Sequence, residues 1–280
     1  EQSSKRLPSM SDNAFNALGE EFRVTVLGSG TSAGVPVMTC DCSVCTSSDS
    51  RNRRLRSSIM LRNDSKTILV DCGSDFRQQA LQWKINRLDA LLLTHSHSDH
   101  ISGIDELRIY NWKQGHHIDT FGSEQTLADL RQRFGYIFSP MQEGGGVPQI
   151  DLRTIGHDPF TAAGLSVLPV EVMHGRLPVT GFRFGNFGYV TDASFVPEET
   201  VEKLKGVRFL ILNALRWKPH PTHLTVDQAV EIVRRIGPER AWFTHITHDL
   251  DHEETNAKLP KGIELAYDGL EFDVEAQRVD

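Results

Sequence analysis

The sequence predicts an α/β protein in which buried strands lead into amphipathic helices. Leu88–Leu93 is an apolar run with one charged residue near its start, which is typical of a buried strand, and apolar residues follow it at helical spacing as far as Leu107. Val207–Leu212 is a second such run, and a helix follows it that begins after Thr225 and ends at Gly237. We therefore expect polar side chains at strand ends to lie on strand-to-helix loops.

Composition places the chain among ordinary globular proteins. Its 280 residues are 39% hydrophobic and 24% charged, which fits one large domain. The formal net charge of −7 disfavours binding to extended nucleic acid or to anionic membranes, since those surfaces need excess Lys and Arg. No apolar run approaches the ~18 residues of a membrane span and no secretory signal is visible, so a cytoplasmic protein is expected. Residues 1–21 are predicted to be a disordered or expression-derived leader, and residues 22–280 to be the folded domain.

The densest chemical signal is the run His95-Ser96-His97-Ser98-Asp99-His100 between the predicted strand and helix. His95 and His97 point the same way where the chain is extended, because side chains alternate with period two. That pairs them on one metal ion. Asp99 and His100 fall in the first helical turn and aim at a second ion. Nitrogen and oxygen ligands of this kind suit Zn, Mn or Fe.

Further strands place other polar residues at their ends. The strand Phe22–Leu27 runs into a glycine-rich turn, but no helix follows, so a dinucleotide-binding fold is excluded. The other predicted strands, each with the polar residue that follows it, are the hairpin Ser57–Leu61 and Thr67–Val70 with Asp71, the strand Leu165–Val172 with His174, the hairpin Phe182–Phe184 and Gly188–Thr191 with Asp192, and the strand Ala241–Thr244 with His245.

The segment from residue 111 to residue 150 is predicted to be rich in helix and then loose. Ser123 is the expected N-cap of a helix that ends near Phe134. Tyr136, Phe138 and Met141 precede a glycine-rich break. They could form a lid or a homodimer contact, and simple core packing is the alternative.

Three of the four cysteines, Cys40, Cys42 and Cys45, lie within six residues. A disulfide framework is not expected without an export signal, whereas thiolates at this spacing wrap one soft ion, and a structural Zn needs a fourth ligand. Cys72 is one candidate for that ligand. His248, three residues after His245, is the stronger one.

His223 stands just before the helix that Thr225 caps. A helix N-terminus is a favourable place for an anionic substrate, and a histidine there is a candidate general acid.

The H-x-H-x-D-H run resembles the signature of the metallo-β-lactamase superfamily. That resemblance implies an αββα sandwich, with two mixed sheets packed face to face and helices outside. Together with the cysteine triplet and the later histidines, it resembles the PhnP-type cyclic phosphodiesterases, which act on phosphoribosyl 1,2-cyclic phosphate. The ligand sets that this implies are His95, His97 and His174 for one catalytic metal, Asp99, His100 and His245 for the other, with Asp192 bridging, and Cys40, Cys42, Cys45 and His248 for a structural zinc.

The resemblance also implies roles for single residues. Asp99 and His223 would take part in catalysis, and His223 would contact the substrate phosphate. Asp71 would orient a ligand histidine, although it could equally cap a helix that starts near Ser74.

The implied function is hydrolysis of a small, cyclic phosphodiester at two divalent ions, Mn or Zn, that activate a water molecule. Other hydrolases of the same fold remain alternatives, including nucleases and thioester or lactam hydrolases. The PqqB proteins share the cysteine triplet but lack the full histidine motif, a flavodiiron reductase would need Glu in place of His97, and a tRNA-processing nuclease would need a basic arm. A non-catalytic, zinc-held binding protein is the alternative from a different class.

Overall fold

The computed structural model describes residues 19–139 and 146–277, which form two seven-stranded sheets. The first sheet has the order β14-β1-β2-β3-β4-β5-β6. Its strands are β1 (Gly19–Gly28), β2 (Ser58–Arg62), β3 (Thr67–Val70), β4 (Ala90–Leu92), β5 (Ile118–Gly122), β6 (Ile150–Thr154) and β14 (Glu271–Gln277). Strands β3 to β6 run parallel, and β1 is antiparallel to both β2 and β14.

The second sheet has the order β13-β12-β11-β10-β9-β8-β7. Its strands are β7 (Phe160–Ala162), β8 (Leu165–His174), β9 (Leu177–Phe184), β10 (Phe187–Val190), β11 (Phe209–Asn213), β12 (Arg240–Thr244) and β13 (Ile263–Leu265). Strands β10 to β13 are parallel, and β7 to β10 are antiparallel. Each sheet is therefore mixed, as predicted.

Eight α-helices and two 3-10 turns connect these strands in the described part of the chain. The helices are α1 (Phe76–Gln82), α2 (Ser98–Ile101), α3 (Arg108–Gln114), α4 (Glu124–Arg133), α5 (Gly135–Phe138), α6 (Glu198–Leu204), α7 (Val226–Ile236) and α8 (His252–Asn256), and the turns are Ser50–Asn52 and Ile104–Leu107. Thr225 caps α7 as predicted, in a capping box with Gln228, and the helix ends at left-handed Gly237.

The apolar core has three layers, because both faces of each sheet are covered. The central layer joins side chains of both sheets, such as Val24 and Trp242. One outer layer packs the first sheet against α1 to α4, and the other packs the second sheet against α6 and α7. Strands buried on both faces read as continuous apolar runs, which explains why they were recognisable in the sequence. The predicted αββα sandwich is confirmed.

Two predictions of element position differ from the structure. The segment 111–150 contains strand β5 besides helix α4, whose N-cap is Ser123 as expected. A short strand between two helices has no periodic pattern that distinguishes it from a helix segment. Strand β1 begins at Gly19, three residues before the predicted domain start, because its residues from Gly19 to Thr25 pair with β14.

Two other predictions fall wholly or partly outside the described residues. Most of the leader lies in residues 1–18, and Met141 with most of the glycine break lies in residues 140–145. Tyr136 is exposed, and its hydroxyl donates to Asp105 Oδ1 over 2.7 Å. The lid or homodimer contact stays a prediction. No helix in the described ranges is long and apolar enough to cross a lipid bilayer.

Candidate metal centre

The strand ends of both sheets bring the predicted ligands together. His95 follows β4, His97 is the N-cap of α2, and Asp99 and His100 lie in its first turn. From the second sheet, His174 ends β8, Asp192 follows β10 and His245 follows β12. His223 precedes α7. Carboxyl ends of parallel strands share one edge of a sheet, which is why residues so distant in sequence meet.

Asp192 lies at the centre of the arrangement and is almost fully buried. Its Oδ1 is 3.2 Å from His245 Nδ1 and 3.4 Å from His100 Nε2, and its Oδ2 is 3.8 Å from His95 Nε2. Ligand-type atoms of Asp99, His100, Asp192 and His245 all lie within 4.8 Å of one another. This is the set predicted for one metal, together with the predicted bridging carboxylate.

The remaining histidines surround the other side of Asp192. His95 Nε2 lies 3.0 Å from His97 Nδ1, and the rings of His97 and His174 are 5.2 Å apart between centroids. A second group with atoms within 4.8 Å of one another consists of His174, Asp192 and His223. The structure thus adds His223 as a candidate ligand, whereas the sequence pointed to a substrate contact and a general acid.

The backbone at three of these strand ends is in the left-handed region. The φ angles are +63° at Asp71, +58° at Asp192 and +57° at His245. Such conformations are uncommon for non-glycine residues and persist where surrounding contacts hold them. All three residues belong to a group of ligand atoms or contact one of its members.

Asp71 contacts His100 rather than a helix. Its Oδ2 lies 2.7 Å from His100 Nδ1, and its carboxylate also accepts from the backbone N and the hydroxyl of Thr94. Helix α1 has Asp75, not Asp71, at its N-cap. With Nδ1 donating to Asp71, the lone pair of His100 remains on Nε2, where a metal would bind.

His100 Nε2 provides a test of whether this site fits a metal. It is buried and makes no hydrogen bond with any described residue, although Asp99 and Asp192 oxygens lie 3.2 and 3.4 Å away. Burial, the largest influence, would lower the pKa of His100, but Asp192 and Asp71 raise it well above its ordinary value. The carboxylates thus favour positive charge at this point. A divalent cation would supply that charge and use the free lone pair.

The other buried groups are in the states that ligands require. Burial, the largest influence, lowers the pKa of both His95 and His245, which favours neutral imidazoles. Burial opposes ionisation of Asp192, but His245 and His100 outweigh it and hold the pKa of its carboxyl well below the usual range. Neutral imidazoles around an ionised carboxylate are the forms that bind divalent ions.

The cysteine triplet and His248 converge at a separate place. His248 Nδ1 lies 3.2, 3.5 and 3.4 Å from the Sγ atoms of Cys40, Cys42 and Cys45. Tetrahedral zinc with ordinary Zn–N and Zn–S bonds places nitrogen and sulfur about 3.5 Å apart. The backbone N–H of Cys45 is the largest of the influences that lower the pKa of Cys42 to about 6, which favours its thiolate, whereas burial is the largest influence that raises the pKa of Cys45 to about 11. Cys72 is buried in the outer layer of the first sheet and is not part of this cluster.

The environment of His223 disfavours the protonated form that the sequence suggested. Burial is the largest influence, with His245 next, and together they lower the pKa of His223 to about 3. Its Nδ1 is buried and has no hydrogen-bond partner among the described residues. A neutral imidazole can bind a ligand or donate one N–H, but it is a poor proton source at neutral pH.

Several supporting contacts were not found from the sequence. The carbonyl oxygen of Thr222 lies 2.7 Å from His174 Nδ1, and the hydroxyl of Ser57 lies 3.3 Å from His245 Nδ1. Thr94 holds Asp71, as described above. Thr94 and Thr222 are sequence neighbours of predicted site residues, which was the available signal. Ser57 gave none, because it starts a strand far from the motif.

Comparison with known proteins of similar sequence or structure identifies the family of this chain. Residues 66–246 match the beta-lactamase superfamily domain. The chain is 40% identical over 262 residues to an octanoyltransferase of Porphyromonas gingivalis, covering 92% of this chain but only 53% of that longer protein. It is 44% identical over 233 residues to a ribonuclease Z of Mycobacterium sp. strain KMS, covering 69% of this chain and 78% of the relative.

Together, the domain match and the two mixed sheets define a protein of the metallo-β-lactamase superfamily. The crystal structure of a diphosphatase from the PhnP family superimposes with a TM-score of 0.87 at 42% identity, covering 93% of this chain and 100% of that one. The chain therefore belongs to the PhnP family within this superfamily. The family resemblance predicted from the sequence is confirmed.

Proposed function

We propose that this protein is a dinuclear metal-dependent hydrolase of a small phosphodiester, with a cyclic diester as the preferred substrate. The observation that carries the proposal is the position of Asp192. Its carboxylate belongs to both groups of ligand atoms, one with Asp99, His100 and His245 and the other with His174 and His223. A carboxylate shared in this way suits two ions that lie close together.

We assign the residues that would hold the ions as the family resemblance implies. His95, His97 and His174 would bind one ion, Asp99, His100 and His245 the other, and Asp192 both. When bound, two divalent ions such as Mn or Zn make a water molecule nucleophilic at neutral pH and stabilise charge on phosphoryl oxygens. Cys40, Cys42, Cys45 and His248 would hold a third, structural zinc.

His223 would bind the substrate phosphate in its neutral form. Its ring lies 4.6 Å from the ring of His174 and 4.8 Å from that of His245, so it faces both parts of the centre. It also stands before the N-terminus of α7, where backbone N–H groups favour an anion. One N–H donated to a phosphoryl oxygen would orient the diester. Asp99, beside His100, contributes a second carboxylate to the centre.

Diphosphate hydrolysis is the second candidate, because the 42% identical relative is a diphosphatase. Both reactions break a P–O bond of a small anionic substrate and place the same demands on the two ions. The ribonuclease Z relatives are named for action on RNA, and a net charge of −7 does not favour binding an extended RNA. The octanoyltransferase relative is almost twice as long as the matched segment, so its activity does not carry over on this match.

Initial rates on a substrate panel test the proposal. The panel holds a five-membered cyclic phosphodiester, a linear diester, a diester of diphosphate, a phosphomonoester and a β-lactam, each with Mn or Zn present. We expect the cyclic diester to be hydrolysed fastest. Asp192→Asn should abolish that turnover, whereas Asp273→Asn, at an exposed pair with Arg23, should preserve it. Faster turnover of the monoester or lactam would refute the proposed class, and faster turnover of the diphosphate would favour the second candidate.

A further inference from the structure

We propose that Ser57 and Asp268 are positioning residues for His245, acting through the glycine-rich turn at residues 28–31. This inference rests on the proposed dinuclear site, in which His245 is a ligand. It assigns the turn a mechanical role: the turn holds a ligand histidine in place and does not itself bind substrate.

The glycine-rich turn lies between the segment before β2 and the residue after His245. On one side, Gly30 N donates to Leu55 O over 2.8 Å. On the other, Thr31 N donates to Ile246 O over 3.1 Å and Ile246 N donates to Ser29 O over 3.0 Å. The turn therefore couples these two segments through backbone hydrogen bonds.

Glycine is required because the turn packs so closely on its own chain. A Cβ at Gly28 would lie 1.9 Å from Arg56 O, and one at Gly30 would lie 2.9 Å from Arg54 O. Both distances are shorter than real contacts allow. These glycines allow the backbone of the turn to approach residues 54–56 closely.

Asp268 holds both sides of this junction with one carboxylate. Its Oδ1 accepts from the backbone N and the hydroxyl of Ser29, each over 2.8 Å, and its Oδ2 accepts from Leu55 N over 2.7 Å. The buried guanidinium of Arg54 also donates to Ser29 Oγ over 2.9 Å. All these bonds end on the turn or on the segment that leads to Ser57, so Asp268 fixes their relative position.

Ser57 connects this junction to the ligand itself. Its hydroxyl donates to Gly30 O over 2.9 Å, so the oxygen can only accept from His245 Nδ1, 3.3 Å away. That acceptor favours the tautomer with the proton on Nδ1, which leaves the lone pair on Nε2.

The backbone of His245 also needs external support. A φ of +57° is costly for histidine and persists only where neighbouring contacts hold it. The bonds between Ile246 and the turn provide that support directly after the strained residue. Ser57 therefore sets the ring, and Asp268, through the turn, sets the backbone from which the ring projects.

The test compares Ser57→Ala and Asp268→Asn with two matched controls. Asparagine at position 268 keeps one acceptor, so it can hold Ser29 or Leu55 but not both. Thr25→Ala removes another buried hydroxyl, that of Thr25 in β1, which donates to Glu271 Oε1 over 3.0 Å. Asp273→Asn removes a carboxylate in β14 that pairs with Arg23. Each folded protein is titrated with Zn in competition with a chelator, and the unfolding temperature of the chelator-treated form is recorded.

We expect each positioning variant to bind one of the two catalytic-centre ions about 10-fold or more weakly, while the other ion and the cysteine-bound zinc are retained. The controls should keep wild-type affinities, whatever their unfolding temperatures. If Asp268→Asn does not fold, Ser57→Ala decides alone.

Wild-type affinity for both ions in Ser57→Ala would overturn the inference and leave the proposed function intact. A wild-type protein that binds no ion outside the cysteine cluster would overturn both.

Discussion

Asp71 Oδ2 lies 2.7 Å from His100 Nδ1, and neither side chain is exposed to solvent. The same carboxylate binds the backbone and side chain of Thr94, the residue that precedes His95. One buried carboxylate thus contacts both ends of the histidine motif, although it does not belong to either group of ligand atoms.

Asp71→Asn tests this role. The amide has one acceptor oxygen where the carboxylate has two, so it cannot serve Thr94 and His100 equally, and it lacks the charge that favours an Nδ1 proton. We expect affinity for the ion at Asp99, His100 and His245 to fall about 10- to 100-fold. A chelator-competition titration measures this. Asp119→Asn, at an exposed ion pair with Arg153, is the control and should bind as the wild type does. Unchanged affinity in Asp71→Asn would assign the residue to folding alone.

Cys42→Ser should separate the two kinds of metal site. Thiolates retain zinc when a mild chelator removes ions from nitrogen and oxygen ligands, so the variant should lose one zinc and several degrees of thermal stability while keeping activity per folded molecule. Asp192→Asn should instead lose activity per folded molecule while it keeps the cysteine-bound zinc and most of its thermal stability. Metal analysis and thermal unfolding measure both effects. Cys72→Ala, at a buried thiol outside the cluster, should keep the zinc. Absence of zinc from the wild-type cysteines would contradict the assignment.

His223→Ala should reduce turnover by a similar factor for substrates with good and poor leaving groups. The burial that lowers the pKa of His223 to about 3 leaves it neutral at pH 7, so its expected contribution is phosphate binding. Rates on a nitrophenyl diester and an alkyl diester provide the comparison. A loss confined to the alkyl diester, of the ~10²–10⁴-fold size typical of general acid catalysis, would show that His223 does protonate the leaving group.

His252 should make the protein more stable as the pH rises from 4 to 7. Burial is the largest influence and the charge of Arg54 is the second, and together they lower the pKa of His252 to about 4. Between that value and the ordinary 6.5 the unfolded chain binds more protons than the folded chain, so the free energy of unfolding rises with pH.

The comparison with His252→Gln isolates this contribution. Relative to the variant, the wild type should gain up to about 3 kcal/mol between pH 4 and pH 7. Urea unfolding of both proteins across that range measures the difference, in which the titration of other groups cancels. A difference that does not change with pH would show that His252 is not shifted.

Much of the centre could be predicted because its residues follow a local pattern. His95 to His100 lie in one strand-to-helix loop, and His174, Asp192 and His245 each end a strand that its apolar residues reveal. The link between Asp268 and His245 could not be predicted, since it passes through backbone atoms of a turn from another part of the chain. The left-handed backbone at Asp71 has no sequence signal either. The neutral state of His223 depends on burial, which only the folded arrangement determines.

The central claim is that two ions at the Asp192 centre perform the hydrolysis, and a metal titration of activity tests it most directly. Protein that retains the cysteine-bound zinc but has lost its other ions is given increasing equivalents of Mn, and hydrolysis of a cyclic phosphodiester is measured at each step. We predict little turnover at one added equivalent and full turnover at two. Full turnover without added metal or at one equivalent, or none at any amount, would contradict the dinuclear account.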